Sequence, residues 1–265
     1  MVCPILVPMR PVPSVRWLLP LLLLLTVDCE PSRHDPLGLG DLGEGKKVLF
    51  IGNSLTEQND LPEMVQVVGE AAGHEIAVRS ITRGSYSLEH HWANGEAVDA
   101  IRAAPWDVVI LQQGPSYLGL EKIRLRESSE RFSEVIREQG ARPALLMVWP
   151  GESRSAAFDA VSDAYGKAAD AVGGILMPVG EAWRAAWDRD STLAFYGRDG
   201  FHPSELGSAL GALVIFQQLF DESPVGLPDR LVPSTKGLRV LSLPPHLNTL
   251  LQEAAAQANA EFGRG

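Results

Sequence analysis

Three side chains that can together activate a hydroxyl nucleophile occur in two short segments of the sequence. Ser54 lies in Gly52-Asn53-Ser54-Leu55-Thr56, and Asp199 and His202 lie in Asp199-Gly200-Phe201-His202-Pro203. A hydroxyl nucleophile needs a base within hydrogen-bonding reach, and that base needs a carboxylate to fix its tautomer. Because Asp199 and His202 are three residues apart, a single turn can place the carboxylate beside the imidazole. The fold must bring Ser54 to them from 148 residues away.

The elements that must position these segments can be predicted from the hydrophobic pattern. Five short apolar runs alternate with longer amphipathic stretches, which is the pattern of β-α units around a parallel sheet. The predicted strands are Lys47 to Ile51, Glu75 to Ile81, Asp107 to Leu111, Ala144 to Trp149 and Ile175 to Val179. The predicted helices are Leu61 to Ala72, Leu88 to Ala103, Glu121 to Gln139, Ala156 to Val172 and Pro203 to Phe220. Because parallel strands need crossovers that pack on the sheet, we predict an α/β fold, a three-layer α/β/α sandwich with a five-stranded parallel sheet.

Polar segments follow the predicted strands at the points where ligands usually bind. In open parallel sheets, ligands bind outside the carboxyl ends of the strands. Ser54 follows the first strand, Gly84 the second, and Gln112 and Gln113 the third, while the segment containing His202 precedes a helix. We therefore expect these residues to lie at one edge of the sheet.

The segments resemble the sequence blocks of the SGNH (GDSL-like) hydrolase family, from Val48 to about Leu210. The segment around Ser54 looks like the nucleophile block, and it is continued by Asn59-Asp60-Leu61-Pro62. The segment that ends at His202-Pro203 matches the family's Asp-x-x-His block. The resemblance implies that Ser54 attacks an acyl carbon, that His202 takes and returns the proton, and that Asp199 orients His202.

The resemblance also implies an oxyanion hole. It assigns the backbone N–H groups of Ser54 and Gly84 to the oxyanion, together with the side-chain amide of Gln113. The family's usual Gly-x-Asn-Asp is replaced here by Leu111-Gln112-Gln113-Gly114, which aligns Gln113 with the family's asparagine and leaves Gln112 as the alternative. Glutamine carries the same amide donor on a stem that is one methylene longer. Asn53 stands where the family commonly has an aspartate, which keeps a polar side chain and removes its charge.

The N-terminal region has the order of charges and apolar residues found in secretory signals. Arg10 and Arg16 precede an uncharged run from Trp17 to Val27, which is shorter than the ~20 apolar residues that span a bilayer. We therefore predict a signal peptide at residues 1–28 and a Gly- and Pro-rich flexible linker at residues 29–45. Residues 46–265 then form one SGNH-type, flavodoxin-like hydrolase domain that includes a C-terminal helical tail around Leu247 to Phe262.

The predicted signal makes this an exported protein that is secreted, periplasmic or anchored by lipid in the cell envelope. Cys29 lies where a bacterial lipoprotein carries its acylated cysteine, so this region also resembles a lipoprotein signal. Asp28 departs from the small residue that such a signal has before the cysteine. Lipid anchoring at Cys29 and plain secretion are alternatives, and a lipid anchor at Cys29 would be the protein's contact with the membrane.

Composition and motifs exclude several other classes of function. The chain has 23 Lys and Arg against 33 Asp and Glu, a net charge of -10, which excludes general binding to nucleic acid. No phosphate-binding glycine motif is present, so we predict no nucleotide cofactor. His90 and His91 are adjacent and would point about 100° apart on a helix, so we predict no metal site there. Trp149, after the fourth predicted strand, is a candidate core residue with a pocket wall as the alternative.

These observations together predict an exported serine esterase that cleaves carboxylic esters through an acyl-enzyme, without metal or cofactor. Its partner would be a small acyl ester or an acetylated glycan. One alternative is a catalytically weak surface protein that binds acylated glycans on the same fold, because the third block is altered. Another is a flavodoxin-like module that binds a phosphate or nucleotide at the first loop, which the acidic charge and the missing glycine-rich loop disfavour.

Overall fold

The central sheet is built from five apolar segments, and the side chains of Val48–Ile51 in one of its interior strands are entirely buried. The structure is a computed structural model that describes residues 40–263. The strands are β1 Lys46–Gly52, β2 Ile76–Thr82, β3 Val108–Leu111, β4 Arg142–Leu146 and β5 Ile175–Met177. All are parallel, in the order β2-β1-β3-β4-β5. The predicted α/β fold with a five-stranded parallel sheet is confirmed.

The helices of the described residues form two groups that cover the sheet. They are α1 Ser54–Glu57, α2 Leu61–Ala71, α3 Leu88–Asn94, α4 Glu96–Ala103, α5 Gly119–Glu138, α6 Phe158–Val172, α7 Val179–Trp187, α8 Glu205–Phe220 and α9 Pro245–Phe262. Helices α3 to α6 pack against one another, and α2, α7, α8 and α9 form the second group. These two helix layers and the sheet give the predicted three-layer sandwich.

Two helices differ from the sequence prediction. The helix predicted from Leu88 to Ala103 is two helices, because Gly95 adopts a left-handed φ of 84° that ends α3 and starts α4. Helix α7 was not predicted: the fifth strand ends at Met177, and α7 begins at Val179 after Pro178. Its side chains Ala182, Trp183 and Ala186 are fully buried, so this helix is part of the core.

The C-terminal segment returns across α2 and α8. It forms a small antiparallel pair, β6 Arg230–Leu231 with β7 Leu241–Ser242, which the sequence did not predict. The Glu70 carboxylate of α2 accepts hydrogen bonds from the Thr235 backbone N–H at 2.7 Å and from the Ser234 hydroxyl at 3.0 Å. Helix α9 then packs on α7 and α8.

The predicted signal peptide, Cys29 and most of the predicted linker lie outside the described residues. Within residues 40–263, no helix combines the length and the apolar character needed to span a membrane.

Candidate active site

The structure brings Ser54, His202 and Asp199 into one hydrogen-bonded chain. Ser54 Oγ lies 2.9 Å from His202 Nε2, and His202 Nδ1 lies 2.5 Å from Asp199 Oδ2. A carboxylate only accepts hydrogen bonds, so Nδ1 carries the imidazole proton and Nε2 of the neutral ring accepts from the Ser54 hydroxyl. This is the tautomer that a general base for Ser54 requires.

Asp199 is held as a carboxylate by its hydrogen bonds. The bond from His202 Nδ1 is the largest cause that lowers the pKa of Asp199 to about 2, and the backbone N–H groups of Phe201 and His202 add to it. Both N–H groups donate to Oδ1 at 3.0 Å. The Asp199 side chain is 51% exposed, so hydrogen bonding rather than burial keeps it charged.

The turn that carries Ser54 is packed too tightly for any residue but glycine at position 52. A Cβ at Gly52 would lie 2.6 Å from Gln112 Oε1 and 2.6 Å from Thr56 Oγ1. Asn53 caps helix α1, because its Oδ1 accepts from Leu55 N at 3.1 Å. Its Nδ2 donates to the Tyr86 carbonyl, which ties the nucleophile turn to the loop after β2. Asn53 thus both accepts and donates, which an ionised carboxylate at this position could not do.

Gln112 is used to hold this turn and is therefore not the alternative oxyanion donor. Its Oε1 accepts from Asn53 N at 2.9 Å and from Thr56 Oγ1 at 2.8 Å. Its Nε2 donates to Asn53 Oδ1 at 3.1 Å and to the Gln113 carbonyl at 2.6 Å. Both amide hydrogens are committed, and the side chain is buried.

Gln113 is fixed in orientation and retains one amide hydrogen. Its Oε1 accepts from Leu88 N at 3.2 Å, and its Nε2 donates to Ser116 Oγ at 2.7 Å. The Tyr165 hydroxyl donates to the Gln113 carbonyl at 2.6 Å, which fixes the backbone of the loop. An amide has two hydrogens, so one is left toward the cavity that Gln113 and Ser54 both line.

Ser116 and Tyr165 were given no role by the sequence analysis. Ser116 has a left-handed φ of 53°, and its hydroxyl donates to the Gly114 carbonyl while it accepts from Gln113. Tyr165 reaches the same loop from α6, and burial raises the pKa of its phenol. Tyr165 and Gln113 are 52 residues apart, so no local sequence pattern predicts their contact. Ser116 follows Gln113 by three residues, and a serine at this position is a weak turn signal.

The two backbone donors implied by the family resemblance differ in position. Within residues 40–263, no acceptor is assigned to the N–H of Ser54, which lies at the first position of α1, nor to the N–H of Gly84. Ser54 lines the cavity, whereas Gly84 lies next to its wall, which is formed by Ser85, Tyr86 and Ser87. Ser85 has a left-handed φ of 64°, so the backbone turns sharply immediately after Gly84.

The loop that carries Asp199 and His202 is held by a backbone bridge between Tyr196 and Pro203. Gly197 N donates to the His202 carbonyl at 2.7 Å. Trp149 Nε1 donates to the Phe201 carbonyl at 3.0 Å from below the loop. Trp149 is 3% exposed and does not line the Ser54 cavity, so it is a core residue that supports the loop and not a pocket wall.

The cavity beside Ser54 has a volume of about 400 Å³. Three largely apolar side chains line it, Tyr86, Pro115 and Phe201. The other side chains of its wall donate or accept hydrogen bonds: Asn53, Ser54, Ser85, Ser87, His90, Gln113, Ser116, Glu121, Arg124 and His202. A larger cavity of about 690 Å³ lies between α2, α8 and the C-terminal segment, and none of the predicted site residues line it.

His90 and His91 have separate structural roles. His90 Nδ1 accepts from Ser87 N at 3.2 Å in the capping box of α3. His91 is 1% exposed, and its Nε2 donates to the Gly52 carbonyl at 2.8 Å. Burial lowers the pKa of His91, so its ring is neutral. No cluster of metal-binding side chains occurs in the described part of the chain.

The chain is similar to known proteins in its structure. No protein-family model and no curated protein sequence matches the chain. A DUF4886 family protein from Bacteroides uniformis ATCC 8492 is 22% identical and has a TM-score of 0.63, over 82% of this chain and 95% of that chain. A protein from Slackia heliotrinireducens described as an SGNH hydrolase is 26% identical, with a TM-score of 0.56, over 66% of this chain and 99% of its own.

A third similar structure is the acetyl xylan esterase AlAXEase. It is 16% identical and has a TM-score of 0.56, over 66% of this chain and 100% of its own. These structures confirm the resemblance noted in the sequence. The fold that carries the segments around Ser54, Gly84, Gln113 and His202 is the fold of SGNH hydrolases and esterases. The chain therefore has the α/β fold of SGNH hydrolases, the family that its sequence segments resemble.

Proposed function

We propose that this protein is an exported serine esterase that hydrolyses small acyl esters through an acyl-enzyme. One observation carries the proposal: Ser54 Oγ, His202 and Asp199 form a continuous hydrogen-bonded chain that opens on a cavity. The hydroxyl is oriented toward an unprotonated imidazole nitrogen, and the imidazole is oriented by a carboxylate. A nucleophile, a general base and an orienting acid in this geometry are suited to acyl transfer.

Acylation follows from the positions of these groups. Ser54 Oγ bonds to the acyl carbon while its proton passes to His202 Nε2, and the acyl oxygen becomes an oxyanion. The N–H of Ser54 and the open amide hydrogen of Gln113 stabilise that oxyanion, with Gly84 N–H as the third donor. When the C–O bond of the ester breaks, the leaving alcohol takes the proton from His202.

Deacylation uses the same groups with water as the nucleophile. The water gives a proton to His202 Nε2 and bonds to the acyl carbon, forming a second oxyanion. As the bond from Ser54 Oγ to the acyl carbon breaks, the proton returns to Ser54 and the carboxylic acid leaves. Asp199 remains ionised throughout, because its low pKa reflects the same bond that stabilises the imidazolium.

The cavity favours a short acyl group on a hydroxylated alcohol. Ser85, Ser87 and His90 on one segment, and Glu121 and Arg124 on α5, offer donors and acceptors to a sugar-like leaving group. The similar AlAXEase is an acetyl xylan esterase, which supports an O-acetylated carbohydrate as the substrate class. We expect acetate release from acetylated xylo-oligosaccharides and at least a tenfold lower kcat/KM on a decanoate ester than on the matching acetate ester.

The test of serine catalysis is a Ser54→Ala variant measured with p-nitrophenyl acetate and a fluorophosphonate label. We expect the label to be lost and kcat to fall by about 10⁶, the scale seen when a serine-protease nucleophile is removed. Ser153→Ala is the matched control, because Ser153 is exposed outside the cavity. Wild-type turnover in Ser54→Ala would reject the mechanism. No reaction of the wild type with any acyl probe, together with binding to an acetylated-glycan array, would favour the glycan-binding alternative.

Export is proposed on the N-terminal sequence alone. The experiment is mass analysis of the protein recovered from a bacterial host that expresses the full chain. Loss of residues 1–28 supports export, and a diacylglycerol mass on Cys29 that disappears in Cys29→Ser supports the lipid anchor. An intact N-terminus in the cytoplasmic fraction would contradict both.

A further inference from the structure

Asn59 connects the segment that carries Ser54 to the loop that carries His202. Its Nδ2 donates to the Pro203 carbonyl at 3.0 Å and to Ser208 Oγ at 3.0 Å. Asn59 follows Ser54 by five residues, and Pro203 is the residue after His202. A second hydrogen bond, from Asn59 to Pro203, therefore joins the same two segments as the contact between Ser54 and His202.

The backbone at Asn59 is held in a conformation that few residues adopt. Asn59 has a φ of 58° and Asp60 a φ of 52°, so two consecutive residues other than glycine are left-handed between the short helix α1 and helix α2. Such residues cost free energy and persist where surrounding contacts hold them. Asparagine is among the residues that tolerate this conformation best, and here it turns the side-chain amide toward Pro203.

The Asn59 peptide is also held from its other side. The Arg239 guanidinium, from the C-terminal segment, donates to the Asn59 carbonyl, and Arg239 Nε lies 3.9 Å from Glu63 Oε1. The side chain of Asp60, by contrast, makes no capping bond and is exposed. The hydrogen bond to the His202 loop comes from the first of the two left-handed residues, Asn59.

We propose that Asn59 is a positioning residue that sets the distance between Ser54 Oγ and His202 Nε2. It does not touch the reacting atoms. Asp199 and His202 move together because they belong to one turn, whereas Ser54 belongs to another segment, so the pair needs a fixed link between the two. The donor of that link is Asn59 Nδ2, and its acceptor is the Pro203 carbonyl. This inference rests on the proposed serine esterase activity.

The test compares Asn59→Gly with Asp60→Gly. Glycine accepts the left-handed φ at both positions, so each variant removes one side chain while the backbone conformation remains allowed. We expect Asn59→Gly to lower kcat on p-nitrophenyl acetate about 10- to 100-fold with KM within about twofold, because a misplaced base slows the chemical step and not binding. Asp60→Gly should retain kcat within about twofold.

A second variant keeps the packing and removes only the donor. Asn59→Asp is isosteric, but it places a carboxylate oxygen against the Pro203 carbonyl, so we expect a loss in kcat at least as large as in Asn59→Gly. A kcat in both Asn59 variants that matches Asp60→Gly would overturn the proposal. If Asn59→Gly does not fold, the Asn59→Asp result decides.

Hydrogen exchange gives a readout that does not depend on activity. We expect the backbone N–H groups of residues 197–204 to exchange faster in Asn59→Gly than in Asp60→Gly, because the loop has lost its link to the segment that follows α1. Equal exchange in the two variants would overturn the positioning role. Failure of the esterase proposal is recognised separately, by unchanged turnover or labelling in Ser54→Ala.

Discussion

Hydrogen-bond partners decide what each side chain at the site can do, and two adjacent glutamines show this most clearly. Gln112 and Gln113 have the same amide and are both buried. Gln112 Nε2 donates its two hydrogens to Asn53 Oδ1 and to the backbone carbonyl of Gln113, so Gln112 stabilises the nucleophile turn. Gln113 Nε2 donates one hydrogen to Ser116 Oγ, and its side-chain oxygen Oε1 accepts from Leu88 N. The same residue type is thus structural at one position and available for chemistry at the next.

A Gln113→Leu variant tests whether that available hydrogen contributes to catalysis. We expect kcat to fall about 10²- to 10³-fold with KM little changed, since removal of one oxyanion donor costs about 3 to 4 kcal/mol in the barrier. The free energy of unfolding should fall by about 1 kcal/mol, because Leu88 N and Ser116 each lose a partner. Steady-state kinetics and urea unfolding measure the two effects. A kcat within threefold of wild type would remove Gln113 from the oxyanion hole.

An Asp199→Asn variant tests the orienting carboxylate. The amide can no longer stabilise an imidazolium or fix the tautomer, so we expect kcat to fall about 10⁴-fold, as in serine proteases. The pKa of Asp199 is lowered to about 2, so its stabilising effect is present above the unfolded value of about 4 and is lost as the pH falls toward 2. Steady-state kinetics at pH 8, well above both values, measure the loss. A fall in kcat of only a few fold would show that Asp199 does not orient His202.

The elements themselves could largely be predicted, because their signals are local. Buried parallel strands appear as short apolar runs, and the first three predicted strands lie within one residue of the observed bounds at each end. The fourth run was predicted to Trp149, but β4 ends at Leu146. The following residues remain buried because they pair with the end of β5 and the start of α7, where Met147 N donates to the Met177 carbonyl and Gly180 N to the Met147 carbonyl. Apolar pattern alone does not distinguish such a buried loop from a strand.

Within the site, only the residues that lie in recognisable sequence motifs could be predicted. Ser54, Asp199 and His202 stand in short segments whose residue types carry the chemistry. Asn59 and Tyr165 act through contacts with residues 144 and 52 positions away, and nothing in one sequence marks such a pair. Their roles depend on tertiary geometry, which no local pattern in the sequence predicts.

Helix α3 supports the nucleophile turn through His91, and a His91→Gln variant tests this. Burial lowers the pKa of His91, so its stabilising effect is full above the unfolded value of about 6.5 and is lost as the pH falls below it. Glutamine can donate to the Gly52 carbonyl but does not titrate. We expect the free energy of unfolding of His91→Gln to be about 1 kcal/mol below that of the wild type at pH 7.5. This difference should be smaller at pH 5. Urea unfolding at both pH values measures it, and parallel pH profiles would contradict the role.

The C-terminal segment extends the fold beyond what the sheet and its crossovers require. After β6 it passes along α2, where Glu70 accepts from Thr235 and Ser234, and it reaches Asn59 through Arg239. Asn59 in turn bonds the carbonyl of Pro203. One end of the chain is thereby linked to the segment after the first strand and to the loop before α8, and we expect stability and activity to respond together when this link is cut.

An Arg239→Met variant cuts the link while keeping most of the apolar stem of the side chain. The Asn59 carbonyl loses a charged donor and Glu63 loses its ion-pair partner, so we expect the free energy of unfolding to fall by about 1.5 to 3 kcal/mol. We also expect kcat to fall severalfold, because the Asn59 peptide is freed. Lys236→Met is the matched control, since Lys236 is an exposed cation of the same segment and should change stability by less than about 0.5 kcal/mol. If both variants unfold at the same urea concentration and keep wild-type kcat, the C-terminal segment covers the fold without supporting the site.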